Sequence, residues 1–197
     1  MKFKLIALLL AISAPAAASA QTLTTTTEPR ATVVVFASFD CPYCMQSQAL
    51  LAAMARKYAG DLAIQFKHFP LAANDAARLP HEAALAAAAQ GRFAAMHDRL
   101  FAPGQRHDRA GVEAIARELD LDLPRFRHDL DTHAWRSRID DDVREAQGFG
   151  VKVTPTFFVQ GYKFEGLQTL ATFEPLIDFA LGRKASRSGA AAIGPAR

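Results

Sequence analysis

The chain is predicted to fold as an α/β domain carrying an all-helical insertion, and three observations support this. Two apolar runs, Ala31 to Phe39 and Leu62 to Phe69, flank a helical segment, so that strand, helix and strand fit within about forty residues, the size of a βαβ unit. From Leu71 to about Gln147 the pattern is helical throughout. Short strands then return at 156–160 and 162–164, and a last helix follows.

Each element has its own signal. Residues 22–30, with four threonines at 24–27, read as an extended lead-in or short edge strand. The run 31–38 reads as a buried strand and 41–58 as one helix, stopped by Gly60-Asp61. The strand 62–69 should lie parallel to the first, through a right-handed crossover. Pro80-His81-Glu82 fits the first turn of an Ala-rich helix ending before Gly91, because proline is tolerated there. The small residues Ala83 to Ala89 in that helix allow close packing against neighbours. Arg92 to Phe101 is a shorter helix. Asp108 is an N-cap for 110–119, Asp122 for 125–130, and Thr132 for a helix stopping near Gly148. A turn at Gly161 joins the last two strands as a hairpin, and the final helix runs from Leu170 to Leu181. The α/β domain therefore comprises two segments, 31–70 and 150–182. Residues 71–149 form the insertion, and the Ala, Gly, Ser and Arg-rich tail 183–197 is expected to be disordered.

Residues 1–20 read as a signal peptide rather than as part of the fold. Lys2 and Lys4 form a basic start, Leu5 to Ile12 an apolar stretch, and Ala18-Ser19-Ala20 a cleavage site. The apolar stretch is far shorter than the ~20 residues of a membrane span. Cleavage after Ala20 removes both lysines and lowers the formal charge from +3 to about +1. That near-neutral balance, without a basic stripe, argues against nucleic acid as a partner. The mature chain is thus expected in the periplasm, where disulfides persist. About ten residues separate Gln21 from the first strand, too few for an N-terminal dimerisation domain, so a monomer is expected.

The chemistry is concentrated in the two cysteines, which stand as Cys41-Pro42-Tyr43-Cys44 at the strand-to-helix junction. There the first sulfur meets free helix N–H groups and the positive end of the helix dipole, which favour a thiolate. The second lies one turn on, within bonding reach. A structural staple is the alternative, yet closing a four-residue loop constrains the unfolded chain by only ~1.9 kcal/mol, against ~4.7 kcal/mol for a loop of about 100 residues. Half a zinc site is another, but structural zinc takes four ligands and no second pair accompanies this one. The two thiols would themselves be the redox group, with no cofactor and no metal.

Thr154-Pro155-Thr156 precedes the apolar strand at 157–159. Taken with Phe39-Asp-Cys-Pro-Tyr-Cys44, the helical insertion, Val153-Thr-Pro-Thr-Phe-Phe-Val159 and Gly161, the chain resembles the thioredoxin fold, and specifically the DsbA-like thiol–disulfide oxidoreductases of the bacterial envelope. The likeness covers about residues 31 to 182. It implies that Cys41 is an exposed attacking thiolate and Cys44 the buried resolving thiol. It also implies that Pro155 is a cis-proline facing them, turning the N–H and C=O of Thr154 toward an extended substrate. Pro42, Tyr43, Thr154 and Pro155 are then the substrate-binding residues.

Three positions depart from that pattern. Val35 stands where many relatives carry a buried acid, six residues before the first cysteine. Tyr43 stands where strongly oxidising relatives often carry histidine, and brings no positive charge. Asp40 is expected to cap the helix, although its charge opposes a thiolate at Cys41. Phe39, Tyr43, Phe157 and Phe158 are candidates for an apolar substrate rim, with at least one strand phenylalanine left to the core. His68, His81, His97, His107, His128 and His133 show no ligand spacing, although His68, near the end of its strand, is placed to approach the site. A cysteine-protease nucleophile would be trapped by a second thiol at i+3.

The expected function is disulfide exchange with cysteine-containing envelope proteins during folding, as a moderately oxidising dithiol oxidase reset by a quinone-linked membrane partner. The alternatives are a periplasmic reductase of the same fold and, from a different class, a thiol metal-binding or adaptor module.

Overall fold

The computed structural model describes residues 29–183. The expected signal peptide, most of the threonine-rich lead-in and nearly all of the tail lie outside the described residues.

Among the described residues, four strands form one mixed sheet in the order β2-β1-β3-β4. Strand β1 (Ala31–Ala37) lies parallel to β2 (Leu62–His68) and antiparallel to β3 (Thr156–Val159), which pairs in turn with β4 (Tyr162–Glu165). Its near-continuous apolar sequence follows from cover on both faces. Val33, Val35 and Ala37 join the main core, while Val34 and Phe36 pack with Ala146, Val151 and Phe158 on the other side.

The segment expected as one helix is two, α1 (Pro42–Gln46) and α2 (Gln48–Lys57), divided at Ser47. Ser47 Oγ and Gln48 Nε2 both donate to the Cys44 carbonyl, at 2.8 and 2.9 Å, so side chains serve a carbonyl at the break. The Ala-rich helix, α3 (Asp75–Ala88), starts more than a turn earlier than predicted. Asn74 accepts from the Ala77 amide at 2.9 Å and caps it, and Pro80 lies inside the helix. The helix tolerates Pro80 because the Ala76 residue, whose carbonyl loses its partner, is exposed to water.

Helices α4 (Phe93–Leu100), α5 (Arg109–Glu118), α6 (Leu123–Asp131) and α7 (Arg136–Gly148) complete the run between β2 and β3. Asp108 and Asp122 cap α5 and α6 through the Gly111 and Arg125 amides, at 2.9 and 3.1 Å. Thr132 closes α6 instead of opening α7, bonding back to the His128 carbonyl through both its amide and its hydroxyl. The chain then turns through His133, at φ +50, and α7 begins behind Trp135. Helix α8 (Leu170–Ala180) closes the domain against α2 and β3. Among the described residues no helix is long and apolar enough to cross a membrane.

The insertion is fastened to the sheet by buried polar groups. Asp142 of α7 is fully buried; it accepts from the His68 amide at 2.9 Å and from Arg138 at 2.6 Å, with Lys67 Nζ 3.3 Å away. His68 of β2, His81 of α3 and His97 of α4 converge among Phe39, Phe66, Phe93 and Phe101. Their environment disfavours the imidazolium, so burial draws all three below the ordinary histidine value, His81 to about 3.

Candidate active site

Cys41 occupies the N-cap of α1, with extended φ/ψ of −92° and 116°. The strand ends at Ala37, and the bond from the Cys41 amide to the Ser38 carbonyl, 3.2 Å, makes the turn into the helix. Pro42 follows in the first turn, where its missing N–H costs no hydrogen bond. The Cys41 sulfur then accepts from the Cys44 amide at 3.3 Å. That amide is one of the donors a helix start leaves unpaired, and a charge-assisted bond from it favours the thiolate.

The two thiols are free and unequal. Cys44 is wholly buried, and desolvation pushes its thiol up to about 12, with the Cys41 side chain adding to the rise. Cys41 retains 5% of its surface, far less than the exposed nucleophile the resemblance implies. Cover comes from the other half of the site: in the thiol form Cys41 Sγ donates to the Thr154 carbonyl at 3.3 Å. The Thr154–Pro155 peptide is cis, and both residues are buried. The Thr154 carbonyl, expected to face a substrate strand, is thus turned onto the nucleophile instead. The structure brings Cys41, Pro42, Tyr43, Cys44, Thr154 and Pro155 together around the α1 start and the approach to β3.

Asp40 does not cap α1, since Cys41 holds that position. Its carboxylate lies 2.6 Å from Nδ1 of His107, which stands in the loop between α4 and α5. Val35 is fully buried and apolar, so the site has no carboxyl at that position. Of the four aromatic residues considered for a rim, only Tyr43 is strongly exposed, at 57%. Phe39 stacks on Phe66 in the core, at a centroid separation of 5.2 Å, and Phe157 is wholly buried against Phe173. Phe158 is half-buried between Phe36 and Phe149. Beside the cysteine motif and Thr154, the large apolar side chains left exposed are Tyr43, Met45 and Val153, the last two missed in the sequence. Their signal was adjacency: one follows Cys44 and the other precedes Thr154, at positions where an apolar side chain has no core to enter.

His68 points away from solvent toward the histidine cluster. Its Nδ1 lies 2.9 Å from Nδ1 of His81, whose Nε2 is 3.5 Å from Ser38 Oγ. Among the described residues, no group of three or more His, Cys, Asp or Glu side chains is placed to hold a metal ion.

A family model described as thioredoxin matches residues 25–179. The chain is similar in structure to a thioredoxin-like oxidoreductase from Silicibacter pomeroyi DSS-3, with a TM-score of 0.71, 26% identity, and coverage of 80% of this chain and 90% of that one. BdbD from Bacillus subtilis superposes with a TM-score of 0.72 at 17% identity over 83% and 93% of the two chains. The thiol-disulfide exchange protein α-DsbA2 from Wolbachia pipientis gives 0.71 at 16% over 79% and 84%. Curated relatives include the Na(+)/H(+) antiporter NhaA 3 of Salinispora tropica, 39% identical over 140 residues, or 71% of this chain. The chain spans about a fifth of the length of those antiporters, 21% in that case. With this match over most of its length, the Cys41–Cys44 pair at the start of α1 and the cis-proline opposite, the chain belongs to the thioredoxin family and has the fold of its DsbA-type members.

Proposed function

We propose that this protein is a thiol–disulfide oxidoreductase of the periplasm, acting as a dithiol oxidase on proteins that fold there. The observation that carries the proposal is the inequality of the two sulfurs. Cys41 accepts a backbone N–H at the helix start, while burial holds Cys44 as a thiol.

In the oxidised protein a substrate thiolate attacks Cys41 Sγ. The Cys41–Cys44 bond breaks, a mixed disulfide forms, and Cys44 leaves with the electron pair and takes up a proton. A second substrate thiolate then attacks the substrate sulfur of the mixed disulfide. The substrate gains a disulfide, and Cys41 is released as a thiolate. Two electrons have passed from substrate to protein, and a membrane oxidant linked to quinone returns the pair to the disulfide. Thr154 and Pro155 line the approach to Cys41, and Tyr43, Met45 and Val153 offer apolar surface to an unfolded chain. Tyr43→Ser and Val153→Ser together are expected to raise KM for a reduced, unfolded protein about fivefold or more, while exchange with glutathione is little changed. Equal loss with both substrates would remove the rim from the substrate site.

The direction of flux follows from how strongly the reduced form is stabilised. Proteins using this chemistry span potentials of roughly −270 to −120 mV, or about 7 kcal/mol. The Cys44 N–H bond to Cys41 favours the reduced form. Tyr43 adds no charge and Val35 no carboxyl, so a middle potential and moderate oxidising power are expected. A purified sample should oxidise a reduced, unfolded secretory protein, and the pair should be found mostly oxidised in cells. A pair mostly reduced in the envelope, with a potential near the low end, would make the protein a reductase.

A further inference from the structure

Asp40 presents a problem that the exchange mechanism leaves open. A carboxylate next to the nucleophile disfavours a thiolate, and the Asp40 residue lies exposed beside Cys41. His107 meets it from 67 positions along the chain. The ring is clamped at both ends, with Nδ1 2.6 Å from Asp40 Oδ1 and Nε2 2.9 Å from the Leu100 carbonyl oxygen. A carbonyl oxygen only accepts, so Nε2 carries a hydrogen. A separation of 2.6 Å between Nδ1 and a carboxylate oxygen requires another hydrogen between them. Whether that hydrogen is assigned to the ring or to the carboxyl group, the Asp40–His107 pair bears no net charge.

The surrounding charges are already matched elsewhere. Arg106 pairs with Asp108, and Arg109 with Glu113 and Asp131 at 2.7 and 2.8 Å. The His107 side chain is 18% exposed and that of Asp40 36%, so solvent screens the pair only in part. We propose that His107 is a positioning residue for the nucleophile: it balances the Asp40 charge and so protects the Cys41 thiolate from an adjacent anion. The inference rests on Cys41 being the attacking thiol. It gives the helical insertion, through the α4–α5 loop, an influence on the redox centre.

The test is the pH profile of Cys41 alkylation by iodoacetamide in the full reduced protein, with the redox equilibrium against glutathione measured in parallel. At the separation of neighbouring residues near solvent, one unbalanced charge changes thiolate stability by roughly threefold. His107→Gln should therefore move the profile about half a pH unit upward, with a matching change of about threefold in the glutathione equilibrium. Asp40→Asn with His107→Gln should restore both. A folded His107→Gln protein with an unmoved profile, or a shift that persists in the double variant, would overturn the proposal. Should His107→Gln not fold, His107→Asn is read by the same criteria, alone and together with Asp40→Asn. Cys41→Ser must abolish the labelling; alkylation that persists on Cys44 would mean that the nucleophile was misassigned, a separate failure from that of His107.

Discussion

Replacing Cys41 with serine should reduce disulfide exchange to the uncatalysed background, whereas replacing Cys44 with serine should leave a protein that captures substrates and fails to release them. The difference lies in their surroundings. Cys41 stands at the N-cap of α1, where the Cys44 amide supports its sulfur at 3.3 Å. Cys44 lies in the core, and with its thiol at about 12 only about one molecule in 100,000 would hold it as a thiolate at pH 7. Without Cys44 no internal disulfide can form, so the Cys41 thiolate can react only by attacking a substrate disulfide. The resulting mixed disulfide has no internal thiol to resolve it, and adducts with disulfide-bearing substrates should accumulate and disappear on reduction. In the unaltered reduced protein, iodoacetamide at neutral pH should modify one residue, Cys41. Equal modification of both cysteines would show that they are equivalent and overturn the division of roles.

Legibility followed the range of the interactions involved. The redox pair could be found in the sequence because its geometry is local: four consecutive residues after a buried strand determine which sulfur caps the helix. The Thr154-Pro155 element became interpretable once joined to that pair, since both flank strands of one sheet. Helix starts were legible where an aspartate caps, as at Asp108 and Asp122. At Asn74 the usual preference of proline for the first turn drew the predicted start toward Pro80, though the Asn74 side chain already holds the Ala77 amide. The break at Ser47 depends on two side chains reaching the same carbonyl, a pattern that helical periodicity does not report. The pairing of Asp40 with His107, and the meeting of His68, His81 and His97, join residues from separate elements. Nothing in their spacing encodes that contact; the packing of the insertion on the sheet creates it.

That histidine cluster should make the protein acid-labile well above the range where carboxylates titrate. His68, His81 and His97 are buried among aromatic rings and held neutral, all below the ordinary value of 6.5, with desolvation the principal cause. In the unfolded chain the same rings titrate near that value. Their contribution is therefore fully present above about pH 6.5 and is lost as the pH falls, because the unfolded state binds protons that the native state excludes. The loss continues toward about pH 3, where His81 itself is protonated in the native state. Each proton so excluded costs about 1.4 kcal/mol per pH unit. Glu113, drawn to about 2 first by its hydrogen bond from Arg127 and then by that from Arg109, loses its own contribution in the same direction but only below about 4.5. Urea unfolding between pH 7.5 and 4.5 should show stability falling steeply below 6.5. His97→Phe removes one of the three rings and fits a site lined by Phe39, Phe66, Phe93 and Phe101. It should make that fall shallower. A flat profile in the parent protein, or an unchanged slope in a folded His97→Phe variant, would show that these rings take up protons without unfolding.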